Sequence, residues 1–226
     1  MNYRVIGGHM VQMLVRAFPA PNAIERFTRD ADAGIEVPVA AGLDLHERLI
    51  ERGYSAVKGN HYRLGTGEVA PMVDLLVPGE FGAKNAKHGG RGFDVAPGLT
   101  LALAADPVVI NVQALLSDHS RHQFTMLVPT VEAAVVMKTL VRQRRLADKD
   151  IADLYSLLEV AHAHRDAGFQ WELAGDAARR GTRLDAARTL YQLVNAIERG
   201  QQVTGSSGVV GFRLAALIRS LVAEPA

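Results

Sequence analysis

Apolar positions along this chain change their period several times, and each change marks an element. Val5-Ile6 is a short apolar lead-in to Gly7-Gly8, after which His9 to Phe18 has helical spacing. Pro19-Ala-Pro21 ends that helix, because proline lacks an N–H and restricts the residue before it. Residues 26 to 37 read as a strand that Pro38 closes. Leu43, Leu45, Leu49 and Ile50 form a stripe opposite Glu47 and Glu51, with Gly53 as a C-cap, so 43 to 53 read as a helix. Residues 54–57, 61–64 and 69–77 read as strands punctuated by Lys58-Gly-Asn60 and Gly65-Thr-Gly67, which suggests an antiparallel portion of a mixed sheet. The glycine-rich stretch 78–98 reads as the most loop-like part of the chain.

Further on, residues 99–105 suggest a helix start, and 108–112 and 123–128 suggest more strands. Thr130 is an N-cap for a helix over 131–145, and Lys149 to Asp153 opens another whose Leu154, Leu157, Leu158 and Ala161 line one face. The tail is mostly helical, with an amphipathic period over 184–199, a Gly205-Ser-Ser-Gly208 linker and a last helix over 212–222. The pattern predicts an α+β protein: a mixed β-sheet flanked by helices over residues 1–128, and a helical C-terminal region over 129–226 packed on it.

Composition narrows the class. Of 226 residues, 48% are apolar and 22% charged, ordinary values for a globular chain, and the net charge of +1 means that any nucleic-acid contact must come from a local patch. The absence of cysteine excludes disulfides, thiolate zinc sites and cysteine nucleophiles. The longest apolar stretch, 99 to 116, is broken by Asp106-Pro107, and no secretory signal is visible, so the expectation is a cytoplasmic protein with no membrane partner.

The chemistry concentrates near the N-terminus. Side chains alternate along a strand, so Asp30 and Asp32 project from one face and can hold a divalent metal jointly. Gly7-Gly8 at a helix start allows close backbone approach to a phosphate. Asp74, inside the apolar run Met72 to Val77, is a third carboxylate, costly there unless compensated. Carboxylates and phosphate oxygens suit Mg²⁺, with Mn²⁺ as the alternative ion. Lys84, Lys87, His88 and Arg91 follow closely and either grip phosphates or keep a surface loop soluble. The pairs His162/His164 and His119/His122 lack the spacing or third ligand of a zinc site.

In order, Gly-Gly, a helix, Arg26-x-Thr28-x-Asp30-x-Asp32, Val73-Asp-Leu-Leu-x-Pro78, a helical lysine and Lys149-Asp150-x-x-Asp153-Leu154 resemble the nucleotidyltransferase-like toxins of the AbiEii type, relatives of the DNA polymerase β superfamily. The resemblance covers roughly residues 3 to 160. It implies a nucleotidyltransferase-like fold and transfer of a nucleotide from an NTP to an acceptor such as tRNA or a protein hydroxyl, within a toxin–antitoxin or phage-defence pair with a cognate antitoxin. It implies Asp30, Asp32 and Asp74 as metal ligands, Gly7, Gly8, Thr28 and Arg29 on the nucleotide, and Lys138, Asp150 and Asp153 in the site, the lysine offsetting phosphate charge. From the residues alone, the alternative is that Lys138 snorkels at the core edge and that Asp150 and Asp153 pair with Arg142 or Arg145.

The chain departs from the family in having Gly-Gly where many members have Gly-Ser, in the long gap from Gly8 to Asp30, and in an abrupt start where the family usually has a helix, so that either the helix is missing or the start lies upstream. Two other readings stand beside transfer to a macromolecule: a small-molecule, aminoglycoside-like nucleotidyltransferase, and a non-catalytic module of the same fold.

Overall fold

The computed structural model describes residues 2–225 except 26, 29, 68, 69, 80, 81, 145, 146, 204, 206 and 207, and the side chains of 58, 143 and 144. The chain divides into two compact units, one of residues 1–13 and 28–130, the other of residues 14–27 and 131–226. Residues 14–27, counted in sequence with the N-terminal part, thus group with the C-terminal helices.

In the first unit β1 (Tyr3–Ile6) leads into α1 (Gly7–Ala17), whose residues from Leu14 on belong to the second unit, and β2 (Asp30–Ile35) returns antiparallel to β1. Then come α2 (Val37–Ala41), α3 (Asp44–Glu51), β3 (Tyr54–Lys58), β4 (His61–Leu64), β5 (Met72–Val77), β6 (Asn85–His88), β7 (Arg91–Val95), α4 (Leu99–Ala104), β8 (Val108–Leu115) and β9 (Arg121–Val128). The main sheet runs β1-β2-β5-β4-β3, with β7 also paired to β5 and β6 paired to β7. It is mixed: β2–β5 and β5–β7 are parallel and the other pairs antiparallel. β8 and β9 form a separate two-stranded ribbon.

Alternation sets what each face does. Ile35, Tyr62, Leu75, Val77, Phe93 and Val95 turn to one side and form a buried core against Val39 and Ala40 of α2 and Leu45 and Leu49 of α3. Their sequence neighbours therefore face the other way.

Three expectations are corrected. Residues 85–95 form the β6–β7 hairpin rather than a loop: Gly89 and Gly90 both have positive φ, as a two-residue hairpin turn between twisted strands requires. The strand at 30–35 stops before Val37, which opens α2 with Pro38 in its first turn, where a missing N–H costs nothing. The expected helix at 43–53 is the shorter α3. Val69 lies outside the described residues, and β5 begins after Pro71.

The second unit is helical: α5 (Val131–Arg144), α6 (Asp148–Ala163), a 3₁₀ turn (Asp176–Arg179), α7 (Gly181–Glu198) and α8 (Gly211–Leu221). Residues 131–140 of α5 and 150–161 of α6 are buried throughout, as in helices surrounded by other helices, so their charged residues must find partners inside. Glu132 accepts hydrogen bonds from the backbone N–H groups of Glu172 and Leu173 and from Arg183 Nε. Glu159 accepts two from Arg213, at 2.8 and 2.9 Å. Among the described residues no helix is long and apolar enough to cross a membrane.

The Arg213 guanidinium, followed by hydrogen bonds from Tyr155 and Asn22, outweighs burial and holds the Glu159 carboxyl below its ordinary value of 4.5. A carboxylate lowered on folding stabilises the fold above its unfolded value, and that contribution is lost as pH falls through the folded value. Stability should therefore decline with acidification below about pH 4.5. Urea titrations across that range should show a shallower decline for Glu159→Gln; an unchanged slope would assign the acid sensitivity to other groups.

Candidate active site

The open face of the sheet carries a row of polar side chains fixed by register. Ile6 of β1 pairs with Asp32 of β2, Asp32 with Asp74 of β5, and Asp74 with His61 of β4. Residues paired across strands project to the same side, so Asp32, Asp74 and His61 stand in line on three adjacent strands. One rung away on that face are Asp30, Met72 and Arg63, and in the other direction Leu76 pairs with Asp94. Asn85 pairs with Asp94 and Lys87 with Gly92, which puts Lys87 on this face too.

The start of α1 closes over the acids. Gly7 has φ +68°, and a Cβ there would stand 1.8 Å from Asp32 Oδ2, so only glycine leaves the carboxylate its position. A Cβ on Gly8 would come within 2.8 Å of the Thr28 side chain. His9 Nδ1 lies 3.1 Å from the Asp30 carbonyl oxygen. Close docking of the acid-bearing strand thus accounts for the glycine pair in the structure, and Thr28 lies against it. Arg29 is outside the described residues.

Three residues on this face, His61, Arg63 and Asp94, escaped sequence reasoning. His61 donates from Nδ1 to Asp74 Oδ1, and its Nε2 stands 3.5 Å from Asp94 Oδ2. A lone histidine in a four-residue strand has no local signal; only the register β4–β5 brings it to the acid. Arg63 shares the face for the same reason. Of the basic residues at 84–91, Arg91 turns to the core side, where it donates to the Gly59 carbonyl and the Tyr62 hydroxyl and stacks over Tyr62 and Phe93. His88, its register partner, goes with it, while Lys84 and Lys87 are exposed.

Among the described residues no group of three or more His, Asp or Glu side chains stands in a geometry that could hold a metal. Mg²⁺ asks for less: one or two protein carboxylates, with water and substrate phosphate oxygens completing its octahedron. Asp32 and Asp74 are direct register partners, and Asp30 lies on the next rung.

In the second unit Lys138, Asp150 and Asp153 form a buried cluster. Lys138 Nζ donates to Asp153 Oδ2 at 2.6 Å and lies 3.9 Å from Asp150 Oδ1. The three residues are 5%, 0% and 1% exposed. Burial lowers the Arg142 pKa from its ordinary value, and the Asp150 charge opposes that shift. Lys138 is therefore a paired ion inside the helices rather than a snorkelling side chain, and Arg145 is outside the described residues.

No protein-family model matches the sequence, and no curated protein matches it.

Proposed function

We propose that this chain is a divalent-metal-dependent nucleotidyltransferase of the toxin–antitoxin or phage-defence type, moving a nucleotide from an NTP to a hydroxyl of an RNA, with tRNA the first acceptor to test. The carrying observation is the direct register of Asp32 with Asp74 on the open face of the sheet, with the Gly7-Gly8 helix start seated against Asp32. The order of motifs shared with the AbiEii-type toxins supports the same reading.

Asp32 and Asp74 would hold the cation, with Asp30 reaching it or its water from the next rung. When bound, Mg²⁺ supplies charge neutralisation at the phosphates and a more acidic attacking hydroxyl. Arg63 and Lys87, cations on the acid-bearing face, would bind phosphate oxygens and orient the triphosphate for in-line displacement. Exposed Lys84 and Lys87 would attract a polyanionic acceptor.

The test is incubation of the protein with Mg²⁺, total bacterial tRNA and each NTP labelled at its α-phosphate, beside Asp32→Asn and Asp74→Asn. Label should appear on RNA with the natural protein and fall to background with either variant. Label on a protein would move the acceptor from RNA to a protein hydroxyl. No label on RNA, protein or aminoglycoside, with Mg²⁺ or Mn²⁺, would sink the transferase and favour a non-catalytic module.

A further inference from the structure

We infer that His61 is a positioning residue that sets the Asp74 carboxylate for cation binding. The inference rests on the reading of Asp32 and Asp74 as the cation ligands. Asp74 lies between two neighbours in the same register row, Asp32 on one side and His61 on the other. Its Oδ1 accepts a hydrogen bond from His61 Nδ1. That bond engages Oδ1 and restricts rotation of the carboxylate, and the cation would be taken by Oδ2. A hydrogen bond to an ionised acceptor is stronger than a neutral one and geometrically stricter, so it suits this task.

For Asp74 to accept, a proton must be on Nδ1, so the contact fixes which ring nitrogen does the work. Ligands to metals depend on such outer partners, and removing one typically weakens metal affinity or activity by about 10–100-fold. A plain cross-strand pair would also bring His61 to Asp74, but it would not require Nδ1 in particular.

Isosteres separate these roles. Asparagine places its amide nitrogen near the position of Nδ1, whereas glutamine places its own near Nε2. Mn²⁺ binding, read by loss of the free-ion EPR signal, should be measured for the natural protein, His61→Ala, His61→Asn and His61→Gln, together with each thermal midpoint. The alanine and glutamine variants should bind Mn²⁺ about tenfold or more weakly, while asparagine restores binding toward the natural level, with the two amide variants melting alike. Binding by the glutamine variant as tight as by the natural protein, or no rescue by asparagine, would overturn the positioning role. Absence of Mn²⁺ binding by the natural protein would overturn it together with the cation site. Mn²⁺ binding that depends on His61 in a protein that transfers no nucleotide would uphold the positioning role and refute the transferase alone.

Discussion

Lys138→Met should lower the unfolding free energy by about 3–5 kcal/mol, the cost of leaving buried carboxylates without their cation. Asp150 and Asp153 are 0% and 1% exposed, so water cannot replace the ammonium group. For a chain of this size each kcal/mol moves the thermal midpoint by about 2–4 °C, which predicts a fall on the order of 10 °C by scanning calorimetry. Adding Asp153→Asn should recover part of the loss, because it removes the carboxylate that Lys138 contacts most closely. A midpoint unchanged by Lys138→Met would mean that Arg142 or another group compensates the acids.

Gly7→Ala should have the largest effect on the open-face site. The left-handed backbone at φ +68° alone costs an L residue about 1–2 kcal/mol. The greater effect is local, since the new Cβ would stand 1.8 Å from Asp32 Oδ2 and the carboxylate must turn away. A displacement of about 1 Å in a reacting site can cost about 100-fold in rate, and Mn²⁺ affinity should fall with it. Gly8→Ala is the control: its Cβ presses on Thr28 at 2.8–2.9 Å and leaves Asp32 alone, so metal binding should suffer much less. Equal Mn²⁺ binding by the natural protein and Gly7→Ala would show that Asp32 is not a ligand.

The helices of the second unit were legible because their signals are local. The apolar run after Thr130 and the period over 184–199 each lie within a few turns, and α5 and α7 appear where those signals stand. The 78–98 stretch misled for a local reason as well. Its glycines were counted as loop formers, yet two of them are what a tight hairpin needs, and Phe93 and Val95 bury their side chains in the core.

The candidate site divides along the same line. By itself the sequence determined an α+β chain with a helical C-terminal part, and it singled out Gly7-Gly8, Asp30, Asp32 and Asp74 through helix-start chemistry and the two-residue period of a strand. It also placed Asp150 and Asp153 on one helical face, through the near-coincidence of positions three apart. Only the tertiary structure decided that Asp32 faces Asp74, that Lys138 is consumed by Asp153, that residues 14–27 group with the C-terminal helices, and that His61, Arg63 and Asp94 join the acid-bearing face. The physical reason is that a side chain's facing along its own strand or helix follows from local geometry, whereas its neighbour across a strand pair depends on register, which buried contacts among residues distant in sequence establish.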